Sequence, residues 1–226
     1  MELSSFTMQV LKNFASINSN IVIQPGNVVT TMAEARNVLG SANVSETFEQ
    51  TMGIYDLSEF LSVIGLVDSP KLYFKDTHVD IMSGSGRASV KYFFSDPEML
   101  TTPSKKITMP STDISFDLDQ TTLNNLKRAS AALGHEAVSI TAADNVIRLS
   151  VLDNDNKTSN TYSIDVDGEY DTEDFNFILN ISNLRMIPSD YKVEISSKLI
   201  SQFTSKDEKM DLTYWVALEK SSTYNA

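Results

Sequence analysis

Ile54-Tyr-Asp-Leu-Ser-Glu-Phe60 and Ile178-Leu-Asn-Ile-Ser-Asn-Leu184 read alike. In each, an apolar run ends, an Asp or Asn follows, and apolar residues then recur at helical spacing. Such an Asx residue is a helix N-cap, because its side-chain oxygen takes an orphan N–H of the first turn. A second correspondence lies upstream at a similar offset, where Leu11-Lys-Asn13 sits over Leu126-Lys-Arg128. Two matched segments in the same order mark a duplicated unit of helix, hairpin, strand, helix and strands.

Outward from these segments the periodicity fills in the rest. The first helix spans 4–18, with Phe6, Val10, Phe14 and Ile17 on one face and Ser5, Gln9, Lys12 and Ser16 on the other. A second helix follows Asp56, a third follows Asp119 and ends at Gly134, and a short fourth starts at Asn180. Strands are expected at 21–24 and 28–32 as a hairpin around Pro25-Gly26-Asn27, and at 51–55, 71–74, 78–82 and 88–94. The second half adds 114–118, 138–141 and 146–151 about the Asp144-Asn145 turn, 159–166, 175–179, 191–195 and 213–218. Pro97, Pro103 and Pro110 favour an extended connector. The expected domains are therefore 1–103 and 112–226, joined by 104–111. The fold class is α+β: two similar domains of antiparallel sheet, two helices each, with the helices gathered on one sheet face.

Composition bounds the chemistry. The 226 residues contain no cysteine, which removes disulfides, thiolate nucleophiles and Cys-held metals. No apolar run reaches the length of a membrane span, and Met1-Glu-Leu-Ser-Ser5 has no basic start, so neither a span nor a signal peptide is expected. The net charge of −12 argues, as an average, against nucleic-acid binding. The acid is uneven, however: residues 1–110 hold 8 bases and 11 acids, residues 111–226 hold 10 and 19. The densest block, Asp165 to Asp174, starts like a calcium loop but has Asn176 where the closing Glu belongs. It is read as a solvated acidic turn. Ser83-Gly-Ser-Gly86 is too short for a phosphate-binding loop. His78 and His135 lie in different halves, so a histidine-based catalytic or metal site would have to form across domains. No enzymatic activity, cofactor or metal is expected.

Five stretches, in order, carry a resemblance: Leu11-Lys-Asn-Phe-Ala-Ser-Ile-Asn-Ser19, Ile54-Tyr-Asp-Leu-Ser-Glu-Phe-Leu61, Phe175-Asn-Phe-Ile-Leu-Asn180, Asn183-Leu-Arg-Met186 with Tyr191-Lys192, and Tyr214-Trp-Val-Ala-Leu-Glu219. Together they resemble the sliding clamps of T-even-type bacteriophages. The resemblance implies a homotrimeric ring around duplex DNA, helices lining the hole and sheets forming the wall. It implies a DNA polymerase tethered for processive synthesis and an ATP-dependent clamp loader. A late-transcription factor that uses the clamp as a mobile platform follows too, as does residence in the cytoplasm of the infected bacterial host. Under it Lys12, Lys127, Arg128 and Arg185 face the DNA, and an edge strand of each domain, 88–94 and 159–166, pairs with a neighbouring protomer. Ile107, Met109, Trp215 and Ala217 are, by position, the candidates for a partner-peptide pocket. Serine, threonine and asparagine richness leaves a second reading open: a β-rich structural or adhesin-like virion protein that oligomerises without DNA. The discriminating feature is two helices per half whose outward faces are poor in acid.

Overall fold

A computed structural model describes residues 1–103 and 107–225. The chain divides into two compact units, Met1–Lys105 with Met210–Leu212, and Lys106–Lys209 with Thr213–Ala226. Residues 104–106 of the expected connector lie outside the described residues.

The first unit runs α1 (Ser5–Ile17), β1 (Ile21–Ile23), β2 (Gly26–Met32), β3 (Val38–Phe48), β4 (Met52–Ile54), α2 (Leu57–Ile64), β5 (Lys71–Phe74), β6 (His78–Met82) and β7 (Ser89–Phe93). Ser4 caps α1 and Asp56 caps α2, each accepting the N–H three residues on. Val10, Leu11 and Phe14 of α1 and Leu57, Phe60 and Ile64 of α2 are buried, and the two helices pack together. All strand pairs are antiparallel: β1 with β4, β2 with β3, and β5-β6-β7 in sequence order.

Two expectations are corrected in this unit. Pro25-Gly26-Asn27 is not a hairpin turn, since β1 pairs with β4 while β2 pairs with β3. Gly26, at φ 116°, lets the chain leave one pairing for the other. The 11-residue β3 is a strand the periodicity did not reveal. Its inward positions are Ala42, Val44, Glu46 and Phe48, so an acid breaks the apolar alternation. Glu46 is buried because its carboxylate accepts from the Ser4 N–H and the Thr7 and Ser45 hydroxyls. It thus serves the start of α1, where negative charge is favoured.

The second unit runs β8 (Ile114–Leu118), α3 (Gln120–Leu133), β9 (Ala137–Ala143), β10 (Val146–Leu152), β11 (Tyr162–Val166), β12 (Gly168–Tyr170), β13 (Phe175–Asn180), β14 (Tyr191–Ser196), β15 (Ile200–Ser205), β16 (Leu212–Ala217) and β17 (Thr223–Tyr224). One sheet has the order β11-β10-β9-β13-β17; a second run has the order β12-β8-β14-β15-β16. Asp119 caps α3 through the Thr122 N–H at 2.7 Å, and Gly134 ends it at φ 70°. Asp144 and Asn145, at φ 48° and 69°, form the two-residue turn of the β9–β10 hairpin.

The second unit also brings corrections. The acidic stretch read as a turn contains β12, an edge strand beside β8. The fourth helix is a single 3-10 turn, Ile181–Asn183. Asn180 caps it, and Pro188 holds Ile187 away from helical angles, so the intervening chain is shorter than two α-helical turns.

Candidate functional site

The 13 residues of α1 and the 14 of α3 contain no Asp or Glu, in a chain that has 30. α1 turns Thr7, Val10, Leu11 and Phe14 inward, which sends Lys12 out with Gln9 and Ser16. α3 turns Thr122, Leu123 and Leu126 inward and exposes Arg128. Thr121, Asn124, Asn125, Lys127, Arg128 and Ala131 line one open groove on α3. Lys127 is half-buried there, and burial lowers the pKa of its ammonium. Among the described residues, no carboxylate forms an ion pair with Lys12, Lys127 or Arg128. Several bases elsewhere differ. Lys71 pairs with Glu2, Arg148 with Asp165, Lys192 with Glu194, and Lys206, just beyond β15, with Asp117.

Arg185 is exposed on the chain leaving the 3-10 turn, and its Nε–H donates to the Ser182 carbonyl at 3.0 Å. The turn packs beside α3 and is tied to its C-terminal side by the Ile181 N–H on the Glu136 carbonyl, 2.8 Å. The second unit therefore gathers Lys127, Arg128 and Arg185 on two adjoining elements, while Lys12 belongs to the first unit. α2 carries no base and exposes Glu59. The bases of α1 and α3, which form no ion pair with a carboxylate among the described residues, can hold phosphates.

Trp215 and Ala217 share the β16 face opposite the buried Tyr214 and Val216. Trp215 Nε1 donates to Gln202 Oε1 at 2.8 Å, and Gln202 Nε2 donates on to Glu194 Oε2 at 3.2 Å. The indole's polar end is thus spent within the sheet, leaving its ring half-exposed. Ile107 and Met109 stand in irregular chain before β8, both half-exposed. Among the described residues neither shares a strand pairing or a hydrogen bond with Trp215 or Ala217.

Two strands end their sheets in the same way. β7 pairs only with β6 among the named strands and β11 only with β10, so each has an open edge among the described residues. Along β7, Ser89, Lys91 and Phe93 are exposed; along β11, Ser163 and Asp165 are, with Asp167 following. Phe93 is 64% exposed, a large apolar surface for a strand edge.

Of the remaining candidates, His78 lies on β6 with Nε2 3.5 Å from Asp80 Oδ1. His135 belongs to the other unit. No group of three metal-capable side chains occurs among the described residues. No helix there is long and apolar enough to cross a membrane. The groove on α3 was the feature that sequence reasoning missed. Thr121, Asn124, Asn125 and Arg128 follow helical spacing, so the signal was present once α3 was phased.

The comparisons with known proteins cover the same ground. Residues 4–95 match the family model for DNA polymerase processivity factor, and residues 115–220 match that for the gp45 sliding clamp, C terminal. The sliding clamp of Vibrio phage KVP40 is 32% identical over 225 residues, covering 97% of this chain and 99% of that protein. The sliding clamp of Enterobacteria phage T4 is 32% identical over the full length of both chains, and that of Escherichia phage RB69 is 29% identical. Among solved structures, the proliferating cellular nuclear antigen of Entamoeba histolytica superposes with a TM-score of 0.67 at 17% identity, covering 95% of each chain. The PCNA2-PCNA3 complex of Sulfolobus tokodaii gives 0.68 at 11% identity, covering 94% of this chain and 95% of that one.

Proposed function

This chain belongs to the sliding-clamp family of DNA polymerase processivity factors, and from that premise we propose that it works as a homotrimeric ring threaded by duplex DNA. It acts without chemistry of its own. The ring tethers the phage polymerase by topology, so the contact with DNA must be weak enough to slide. Lys12, Lys127, Arg128 and Arg185 supply that contact. The single observation that carries this reading is the pair of acid-free helices, α1 and α3, whose outward bases lack acidic partners in a chain of net −12. A few phosphate contacts, each adding a slope of about −0.9 in log K against log salt, give weak, salt-sensitive and sequence-neutral holding.

Ring closure follows from the two open edges. Antiparallel pairing of β7 with a neighbour's β11 matches faces in registers two residues apart, and one of these also sets Lys91 opposite an acid. Ser89 meets Asp167, Val90 meets Val166, Lys91 meets Asp165, Tyr92 meets Ile164 and Phe93 meets Ser163. It sets opposite charges across the seam, covers Phe93 and leaves neither edge open. An ATP-dependent loader opens the ring. Polymerase and a late-transcription factor dock through a peptide near Ile107, Met109, Trp215 and Ala217, and the setting is the cytoplasm of the infected host. The test is primer extension with loader and ATP across a salt series, with light scattering to report the ring. The joint change of Lys12, Lys127, Arg128 and Arg185 to Glu should keep the trimer and lower stimulation, most at low salt, where screening is weakest. Undiminished stimulation from an intact trimer would show that these side chains do not face DNA.

A further inference from the structure

Arg185 sits on a segment that secondary structure does not hold. A three-residue 3-10 turn is weak on its own. The chain from Leu184 to Asp190 joins no strand. What fixes it is burial on either side of the arginine: Leu184, Met186 and Ile187 are 2%, 5% and 2% exposed. Burying Ile187 carries its backbone N–H and C=O into the core, where each needs a partner. Neither group finds one in a helix or a sheet. The Tyr191 hydroxyl donates to the Ile187 carbonyl, and the Ile187 N–H donates to the Tyr214 hydroxyl at 3.2 Å. Both tyrosines are wholly buried, with their rings edge-to-face at 6.2 Å. They rise from β14 and β16, two strands of the sheet beneath the segment. Burial pushes both hydroxyls above the ordinary phenol range, so both keep their protons.

We propose that Tyr191 and Tyr214 are positioning residues for Arg185: the two hydroxyls grip both backbone groups of Ile187 and so fix the segment that aims the guanidinium. The proposal rests on reading Arg185 as DNA-facing, and it explains how one 3-10 turn takes the place of a helix. α1 and α3 hold their bases by helical hydrogen bonds and an apolar stripe. The 3-10 turn has a single backbone bond of its own, Leu184 N–H to the Ile181 carbonyl at 3.1 Å, and beyond it the two phenolic hydroxyls supply the backbone partners that a helix would give.

The experiment uses the full chain as wild type, Tyr191→Phe, Tyr214→Phe and the double variant, each keeping the ring that fills the core. Proton–nitrogen NMR of the arginine Nε–H groups reads the aim directly. Arg185 Nε–H is bonded to Ser182, and its signal is assigned by its loss in Arg185→Ala. Arg148 Nε–H, bonded to Asp165 at 2.7 Å, is the internal control. The double variant should speed solvent exchange of the Arg185 signal by about tenfold or more while Arg148 is unchanged, the mark of a local opening. The single variants should fall between, so failure of the double variant to fold leaves the comparison intact. Equal Arg185 exchange in wild type and variants overturns the proposal. The second arm measures salt dependence of retention on nicked circular DNA. Arg185→Ala should lower the slope by about 0.9 for each phosphate it no longer neutralises, and the tyrosine variants should lower it in the same direction. An unchanged slope for Arg185→Ala, with the NMR change present, overturns the DNA-facing reading and leaves the positioning of Arg185 standing.

Discussion

At the scale of the residue, Glu46 shows how one carboxylate serves both the core and the first helix. Burial raises its pKa, but hydrogen bonds from Thr7, Ser4 and Ser45 outweigh that and leave it below its ordinary value of 4.5. A carboxyl lowered in the folded state adds stability that is full above its unfolded value and is lost as pH falls through the folded one. Glu46→Ala strands the Ser4 N–H and the Thr7 hydroxyl and should cost about 1–3 kcal/mol. Glu46→Gln should be less stable than wild type at about pH 7, with the gap shrinking toward about pH 3, in urea midpoints. A gap that widened on acidification would contradict the assignment. The same residue hid β3 from the sequence, because an acid in a core position reads as a surface residue. Ser201 did the same to β15: it is fully buried, with its hydroxyl donating to the Val216 carbonyl at 2.8 Å.

At the scale of the element, what was legible is what local chemistry dictates. Asp56, Asp119 and Gly134 bounded helices because caps and left-handed stops are short-range devices. Asp144-Asn145 marked a hairpin because both residues tolerate positive φ. Which strand pairs with which was not legible at Pro25, since pairing is set by distant partners. The exposure of Lys12 and Arg128 could be read from the phase of α1 and α3, but Arg185 could not, since no helix carries it, and neither could the tyrosine grip on Ile187, which joins residues on separate strands. Gly168 is another such long-range demand. It opens β12 one residue after β11 ends, and a Cβ there would meet the Ile147 side chain, the Ser115 carbonyl and the Phe116 Cβ. Gly168→Ala should therefore destabilise by about 1–3 kcal/mol through overpacking. The check is thermal unfolding beside Gly134→Ala. There a Cβ meets nothing, so any cost comes from its φ of 70° alone.

At the scale of the whole molecule, what matters is where charge of each sign lies. Thirty acids and eighteen bases give a polyanion, yet two of the three α-helices among the described residues carry no acid at all. Helix faces without acid fit a ring threaded by DNA. The proposed seam, with Lys91 set opposite a neighbour's Asp165, makes its own prediction. Lys91→Glu should weaken self-association by about fivefold per interface, for a cross-strand pair worth ~1 kcal/mol. Asp165→Lys in the same chain should recover part of that loss, measured by light scattering over a concentration series. Equal loss in the single and double variants would contradict the register. Holding DNA by enclosure rather than by grip is tested most directly with the protein loaded onto nicked circular DNA and passed over a sizing column. Enclosure predicts that the protein stays with the circle at moderate salt and leaves once a restriction enzyme makes the circle linear. Equal retention on circle and linear DNA, or loss from the intact circle after loading, would contradict it.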